Sequence, residues 1–283
     1  MLIAQITDVH LGFEPDNASE DNRLRLDRVV AALDALSPRP DALLVTGDIA
    51  DRGTAEAYAQ FREAGSALGC SVYCCPGNHD RRDTFRTALP QPDGLAGFIQ
   101  YGFDLGELRV LVLDTLEEGR HGGSFCESRA EWLAAELKRH VDRPTLIALH
   151  HPPIASGVAW MDPAPAAPWI ERLSEVLRSQ PQVVKIVCGH IHRPIAATWQ
   201  GHGVAVCAAS AAQLSLDFAP IDPDTPDGRA MVTDAPPAFA LHHWNGRELV
   251  THFAVAQDAQ VLASYDPDMQ VLVRKIAAER GPS

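Results

Sequence analysis

Five short runs of metal-binding residue types lie along the chain: Asp8-Val9-His10, Gly47-Asp48, Gly77-Asn78-His79-Asp80, His150-His151-Pro152-Pro153 and Gly189-His190-Ile191-His192. Imidazole, carboxylate and a side-chain amide are donors that borderline divalent ions accept. Each run closes an apolar stretch that reads as a strand. Together they point to metal-assisted hydrolysis of a phosphate ester.

Asp8 and His10 are two residues apart, so an extended strand end turns both to one side, and His190 and His192 repeat the spacing. Asp48 has two carboxylate oxygens and is the natural bridge between two ions. The expected groups are Asp8, His10, Asp48 and His192 on one ion, and Asp48, Asn78, His150 and His190 on the other. Two cations about 3.5–4 Å apart can hold a bridging hydroxide as nucleophile and clamp phosphate oxygens, so no Ser or Cys nucleophile is required. His79, beside a ligand, is the candidate to touch the phosphate or protonate the leaving alkoxide. Asp80 and Asp51 are candidates to orient a histidine or the Asn78 amide. Arg52 is placed to reach a phosphate oxygen.

Taken singly, every run has a plainer explanation. Gly47-Asp48 is an ordinary turn, and Gly77-Asn78-His79-Asp80 fits a β-turn because Asn and Gly favour such positions. A lone strand-end histidine is more often a satisfied polar residue than a ligand. Only their joint occurrence at successive strand ends favours chemistry. In His150-His151-Pro152 the His-x-Pro spacing favours His150. His121, His140, His202, His242, His243 and His252 fall outside the runs and read as surface or core residues. Arg81 and Arg82 read as solvated side chains or auxiliary phosphate contacts, and Cys74-Cys75 as core.

The first two-thirds of the chain alternates strand and helix: strands at Leu2–Thr7, Ala42–Thr46 and Ser71–Cys75, helices at Asn22–Leu36 and Thr54–Leu68, with Thr54 as N-cap. That order implies parallel strands with helical crossovers and loops at the strand carboxyl ends. Gly97–Phe103 and Leu108–Leu113 read as adjacent strands, Glu127–Arg139 and Pro168–Ser179 as helices, and Thr145–Leu149 and Val183–Cys188 as the strands delivering His150 and His190. Apolar runs at Ala196–Trp199, Val204–Ala208, Phe239–Trp244 and Leu249–Val255 suggest a largely antiparallel second sheet. The Pro- and Asp-rich stretch Asp217–Pro237 is too long and polar for an ordinary connection. A short helix through Val271–Ala278 is expected in the 258–283 tail.

The 283 residues, 46% hydrophobic and 22% charged, are ordinary for a globular protein. A formal charge of −13 argues against general nucleic-acid binding. It leaves room for an anionic substrate, because bound dications reverse the local field. No apolar run suggests a membrane span, and the opening residues lack the basic start of a secretory signal. With six cysteines in no CxxC spacing, free thiols and a cytoplasmic location are expected.

The five runs resemble the pattern D-x-H, GD, GNH(D/E), a lone His and GH-x-H of the calcineurin-like metallophosphoesterase superfamily. The resemblance implies an α/β fold, a four-layer αββα sandwich with two central mixed sheets, and a dinuclear Fe, Mn, Co or Zn site on the residues grouped above. Asp48 to Gly53 is also similar to the GDxxDRG segment of serine/threonine protein phosphatases. There the arginine binds phosphate, but those enzymes carry Glu where this chain has Asp80. The HHPP and GHIH runs, and Met161-Asp162-Pro163, look like class III cyclic-nucleotide phosphodiesterases and bacterial glycerophosphodiesterases. The resemblance therefore implies a catalytic domain over residues 1–257, with 217–237 as a cap or dimerisation insert, and a tail over 258–283. It implies a homodimer or higher homo-oligomer hydrolysing small phosphodiesters, namely 3′,5′-cyclic nucleotides or glycerophosphodiesters. A phosphomonoesterase or protein phosphatase, and a non-catalytic scaffold on the same fold, are the competing expectations.

Overall fold

The computed structural model describes residues 1–15, 17, 19–164 and 166–280. Position 165 and the last three residues of the 258–283 tail lie outside the described residues. In chain order the first half comprises β1 (Leu2–Ile6), α1 (Asp21–Asp34), β2 (Ala42–Thr46), α2 (Ala55–Ser66), β3 (Ser71–Cys75), α3 (Arg82–Ala88), β4 (Tyr101–Leu105) and β5 (Leu108–Val112). Then follow α4 (Glu127–Arg139), β6 (Thr145–Ala148), α5 (Pro168–Leu177), β7 (Val183–Cys188), β8 (Ile195–Trp199) and β9 (His202–Val206). The short pair β10 (Gln213–Leu214) and β11 (Val232–Thr233), strands β12 (Ala238–Trp244) and β13 (Leu249–Val255), and α6 (Pro267–Glu279) complete the chain.

Two mixed sheets result, ordered β13-β12-β1-β2-β3 and β4-β5-β6-β7-β9-β8. Strands β1, β2 and β3 are parallel, as are β5, β6, β7 and β9. β2 and β6 are buried at every residue, which is why their sequences are continuous rather than alternating apolar runs. Alternation decides which side each residue serves. Val110 and Val112 of β5 pack in the core shared with the first sheet, whereas Leu111 between them packs with Leu133 and Leu137 of α4 and Leu173 of α5. Helices α1 and α2 press Leu26, Val29, Tyr58 and Phe61 on the first sheet. The architecture is the expected αββα sandwich.

Thr54 caps α2, accepting from the Ala57 N–H, and Pro168 opens α5. The late apolar runs do not make a sheet of their own. β12 and β13 extend the first sheet antiparallel to β1, while β8 and β9 extend the second beside β7. The split follows from burial: both sheets have an uncovered edge strand beside a central parallel one, and each pair satisfies one of those edges. Helix α3, directly after Asp80 and Arg81, is an element the sequence pattern does not announce. The tail helix α6 starts four residues earlier than expected, with Asp266 accepting from the N–H groups of Asp268 and Met269. All six cysteines are free. Among the described residues no helix is long and apolar enough to cross a membrane.

Candidate metal centre

All five runs meet where β1, β2, β3, β6 and β7 end. Their backbone is not extended there, contrary to the spacing argument. Of the six non-glycine residues with positive φ among the described residues, five are Asp8 (51°), His10 (50°), Asp48 (50°), His190 (72°) and His192 (52°). Left-handed backbone costs a non-glycine residue on the order of 1–3 kcal/mol and persists where surrounding structure imposes it, typically at functional sites. The loops also run close. A Cβ on Gly189 would collide with the Thr7 hydroxyl, and one on Gly77 with the Asp48 carboxylate.

Asp8 is fully buried. Its Oδ2 accepts from the Thr7 hydroxyl at 2.7 Å and the His190 N–H at 3.0 Å. Its Oδ1 has no hydrogen-bond partner and faces Nε2 of His192 at 3.3 Å. His192 donates from Nδ1 to the Ala212 carbonyl at 2.8 Å, and His10 from Nδ1 to Oδ1 of Asp51 at 3.2 Å. Both Nε2 atoms therefore present lone pairs, and they face each other across 3.2 Å. Nitrogen ligands at about 2.0–2.1 Å from one ion fall roughly this far apart. Buried lone pairs aimed at one another and at an orphaned carboxylate oxygen are costly unless a cation sits among them. The residues present fit a metal ion.

The second expected group gathers round Asp48. His79 N–H donates to its Oδ1 at 2.8 Å, while its Oδ2 lies 3.3 Å from Nε2 of His150 and 3.8 Å from Nε2 of His10. One oxygen thus reaches histidines of both groups, as a bridging carboxylate must. His150 donates from Nδ1 to the Thr46 carbonyl at 2.7 Å and turns Nε2 to Oδ1 of Asn78 at 3.1 Å. The His190 ring lies 5.1 Å from that of His150, centroid to centroid. Burial opposes ionisation of Asp48, yet the neighbouring His150 and His10 hold its carboxyl well below the usual range. Burial and the surrounding imidazoles push His190 down, keeping it neutral and able to donate a lone pair.

A match to the calcineurin-like phosphoesterase family model runs over residues 1–194, spanning all five runs. The chain belongs to the calcineurin-like phosphoesterase family. It is 30% identical over 264 residues to a glycerophosphodiester phosphodiesterase from Enterobacter lignolyticus, covering 89% of this chain and 90% of the relative. It is 34% identical over 200 residues to a 3′,5′-cyclic-nucleotide phosphodiesterase from Nostoc sp., covering 68% and 71%. In fold it superposes on a dimetal phosphatase from Danio rerio with a TM-score of 0.65 at 18% identity, covering 91% and 97% of the two chains. As a calcineurin-like phosphoesterase the chain is a metal-dependent hydrolase, and its His/Asp clusters are compatible with metal.

Several neighbours of this phosphoesterase centre sit differently from expectation. Asp51 does serve histidines, lying 3.2 Å from Nδ1 of His10 and 3.5 Å from that of His79. Its hydrogen bond outweighs burial and raises His79 to about 9. Asp80 instead holds backbone: it accepts from the N–H groups of Ile49, Ala50 and Gly77 and from the Tyr58 hydroxyl. It is buried beneath the Asp48 loop, so it cannot orient a histidine or the Asn78 amide. Arg52, 60% exposed, lines a cavity of about 470 Å³ with Asn78, His79, Arg81 and Arg120. Arg82 is unavailable to substrate, because it forms a bidentate pair with buried Asp114 at 2.7 and 2.8 Å.

His151 commits both nitrogens, Nδ1 to the Thr115 hydroxyl at 2.8 Å and Nε2 to the His121 carbonyl at 3.1 Å, and burial holds it down at about 3. No lone pair remains for an ion, although the ring lies in the cluster with His150 and His190. His121, which reads in the sequence as a surface or core residue, belongs to the site. Its ring lies 4.7 Å from that of His190, over the same cavity as Asn78 and His79. A single histidine among glycines, in Arg120-His121-Gly122-Gly123, carries no local signal of this. A second cavity, about 510 Å³, opens on the other side of His10 and His192 and is walled by Phe13, Leu214 and Val232.

Proposed function

We propose that this chain is a dinuclear-metal phosphodiesterase acting on small diesters, with 3′,5′-cyclic nucleotides or glycerophosphodiesters as substrates. The observation that carries the reading is the Asp48 carboxylate, one oxygen of which reaches His150 and His10 together. On this reading Asp8, His10, Asp48 and His192 hold one ion, and Asp48, Asn78, His150 and His190 the other. Two Fe, Mn, Co or Zn ions supply Lewis acidity and a nucleophile derived from water near neutral pH. The chain's own residues do the rest. His79, edge-on to His10 at 4.6 Å and 38% exposed, presents its imidazole to the phosphate and to the departing oxygen. Arg52 supports the phosphate from the cavity rim, while Asp80 fixes the loop that carries Asp48.

A diester has two substituents, and the centre is flanked by two cavities that share His79 and Asp51. That arrangement favours diesters over monoesters. Val232, in the 217–237 segment, walls the apolar cavity, which supports that segment as a cap on a catalytic unit of residues 1–257. Exposed Leu216, just before that segment, and Phe218, within it, support the homodimer, which sedimentation analysis tests. The exposed Arg52 guanidinium motivates one other reading, a phosphomonoesterase.

A panel of cyclic nucleotides, glycerophosphodiesters and matched monoesters, each with Mn, Co, Fe or Zn, decides. Faster turnover of the diester of one leaving group supports the proposal, and preference for the monoester overturns it. Absence of both metal uptake and hydrolysis points to a scaffold. Asn78→Ala should lower turnover by about 10²-fold with the fold intact.

A further inference from the structure

The loop between β5 and α4 is built more firmly than its sequence, Glu117 to Ser124 with three glycines, suggests. Asp114, at its root, is wholly buried and takes the Arg82 fork together with the N–H groups of Ile99 and Leu116. Arg129 donates to the Asp114 carbonyl at 2.8 Å, and Ser124 N–H closes the loop on the Thr115 carbonyl at 2.9 Å. At the tip, His151 donates to the His121 carbonyl. A buried histidine next to a proposed metal ligand thus ties the Thr115 hydroxyl on one nitrogen to the His121 carbonyl on the other, both within this loop.

What that carbonyl fixes is the His121 side chain. Its ring stands against His190 and over the cavity shared with Asn78, His79, Arg52 and Arg120. The residue is exposed, and among the described residues no protein group hydrogen-bonds its imidazole. It also stands outside the clusters whose donor atoms converge closely enough for a shared ion. An imidazole keeps at least one N–H donor whether neutral or charged, so it can serve a phosphate oxygen in either form.

We infer that His121 is a substrate-contacting residue, donating a hydrogen bond to a phosphate oxygen of the ester bound over Asn78 and His79. The inference rests on the phosphodiesterase reading for the identity of the ester, but its phosphate contact can be measured separately. His151 is the positioning residue that holds it there.

The test uses the full-length, metal-loaded protein, with inorganic phosphate binding followed by calorimetry and bis(p-nitrophenyl) phosphate hydrolysis followed by absorbance. His121→Ala should weaken phosphate binding about ten- to hundredfold and lower kcat/KM by a similar factor. Metal content per chain and the thermal midpoint should stay at wild-type values. His121→Asn, which keeps a donor, should recover part of the loss. Unchanged phosphate affinity in His121→Ala overturns the inference, and so does loss of bound metal, which would make His121 part of the ion's own shell. A wild-type protein that binds phosphate but cleaves no diester overturns the phosphodiesterase reading alone, and the calorimetric comparison still decides the role of His121.

Discussion

Nε2 of His10 and Nε2 of His192 face each other across 3.2 Å, each with its Nδ1 proton already committed elsewhere. Two lone pairs in that relation repel, and the repulsion is relieved when a cation takes the space between them. Chelation should therefore destabilise the protein. A ligand at about 100 times its Kd adds roughly 2.7 kcal/mol, which for a chain of this size corresponds to several degrees in Tm. Calorimetric scans with and without EDTA, followed by Mn or Zn add-back, measure the shift; an unchanged Tm argues against a bound ion.

Asp51 holds the His10 ring in the tautomer that points Nε2 inward, and it also touches His79. Outer partners of metal-binding histidines typically matter about 10–100-fold. Asp51→Ala should weaken metal affinity or activity by that factor while leaving the far-ultraviolet spectrum unchanged. Wild-type metal affinity and turnover in the variant would remove Asp51 from the site.

Tyr58 lies fully buried in α2, donating to Oδ1 of Asp80 at 2.9 Å and accepting from the Arg81 N–H at 3.2 Å. Tyr58→Phe leaves the packing intact but strips both contacts, which should cost about 1–3 kcal/mol in urea denaturation. Because Asp80 supports the N–H groups of Ile49 and Ala50 just after Asp48, metal affinity should fall as well.

His242 is buried between the sheets, bonded to Gln5 at 3.0 Å and to the Thr251 hydroxyl at 2.9 Å. Burial, with Lys185 nearby, lowers its pKa to about 3 from 6.5. Below pH 6.5 the unfolded chain takes up a proton at this residue that the folded chain refuses. Its contribution to stability therefore holds above pH 6.5 and is lost as pH falls toward 3, with a slope of up to about 1.4 kcal/mol per unit. His242→Gln should flatten that part of the stability–pH curve, as measured by denaturant titration between pH 4 and 7. An identical slope in both proteins would show that His242 is not the group responsible.

Much of the first sheet was legible in sequence because β1 and β2 are inner parallel strands buried almost throughout, and such strands read as apolar runs. Thr54 and Pro168 announced their helices through local hydrogen-bond and φ requirements. α3 was not legible: its seven residues bury only Phe85 and follow a tight loop. The destination of β12 and β13 was equally hidden, since an alternating strand says which face is buried but not which neighbour it joins.

Residue identity and order along the chain by themselves pointed to donors delivered at strand ends and to phosphoesterase chemistry, because coordination preference belongs to the side chain and not to the fold. Only the tertiary structure decided which atoms converge. His10 and His192 meet from 182 residues apart, Asp80 turns to backbone N–H groups rather than to a histidine, and His151 yields its place over the cavity to His121. Those outcomes depend on how two sheets and their end loops pack against each other, and no short-range pattern encodes a distance between loops that share no local sequence.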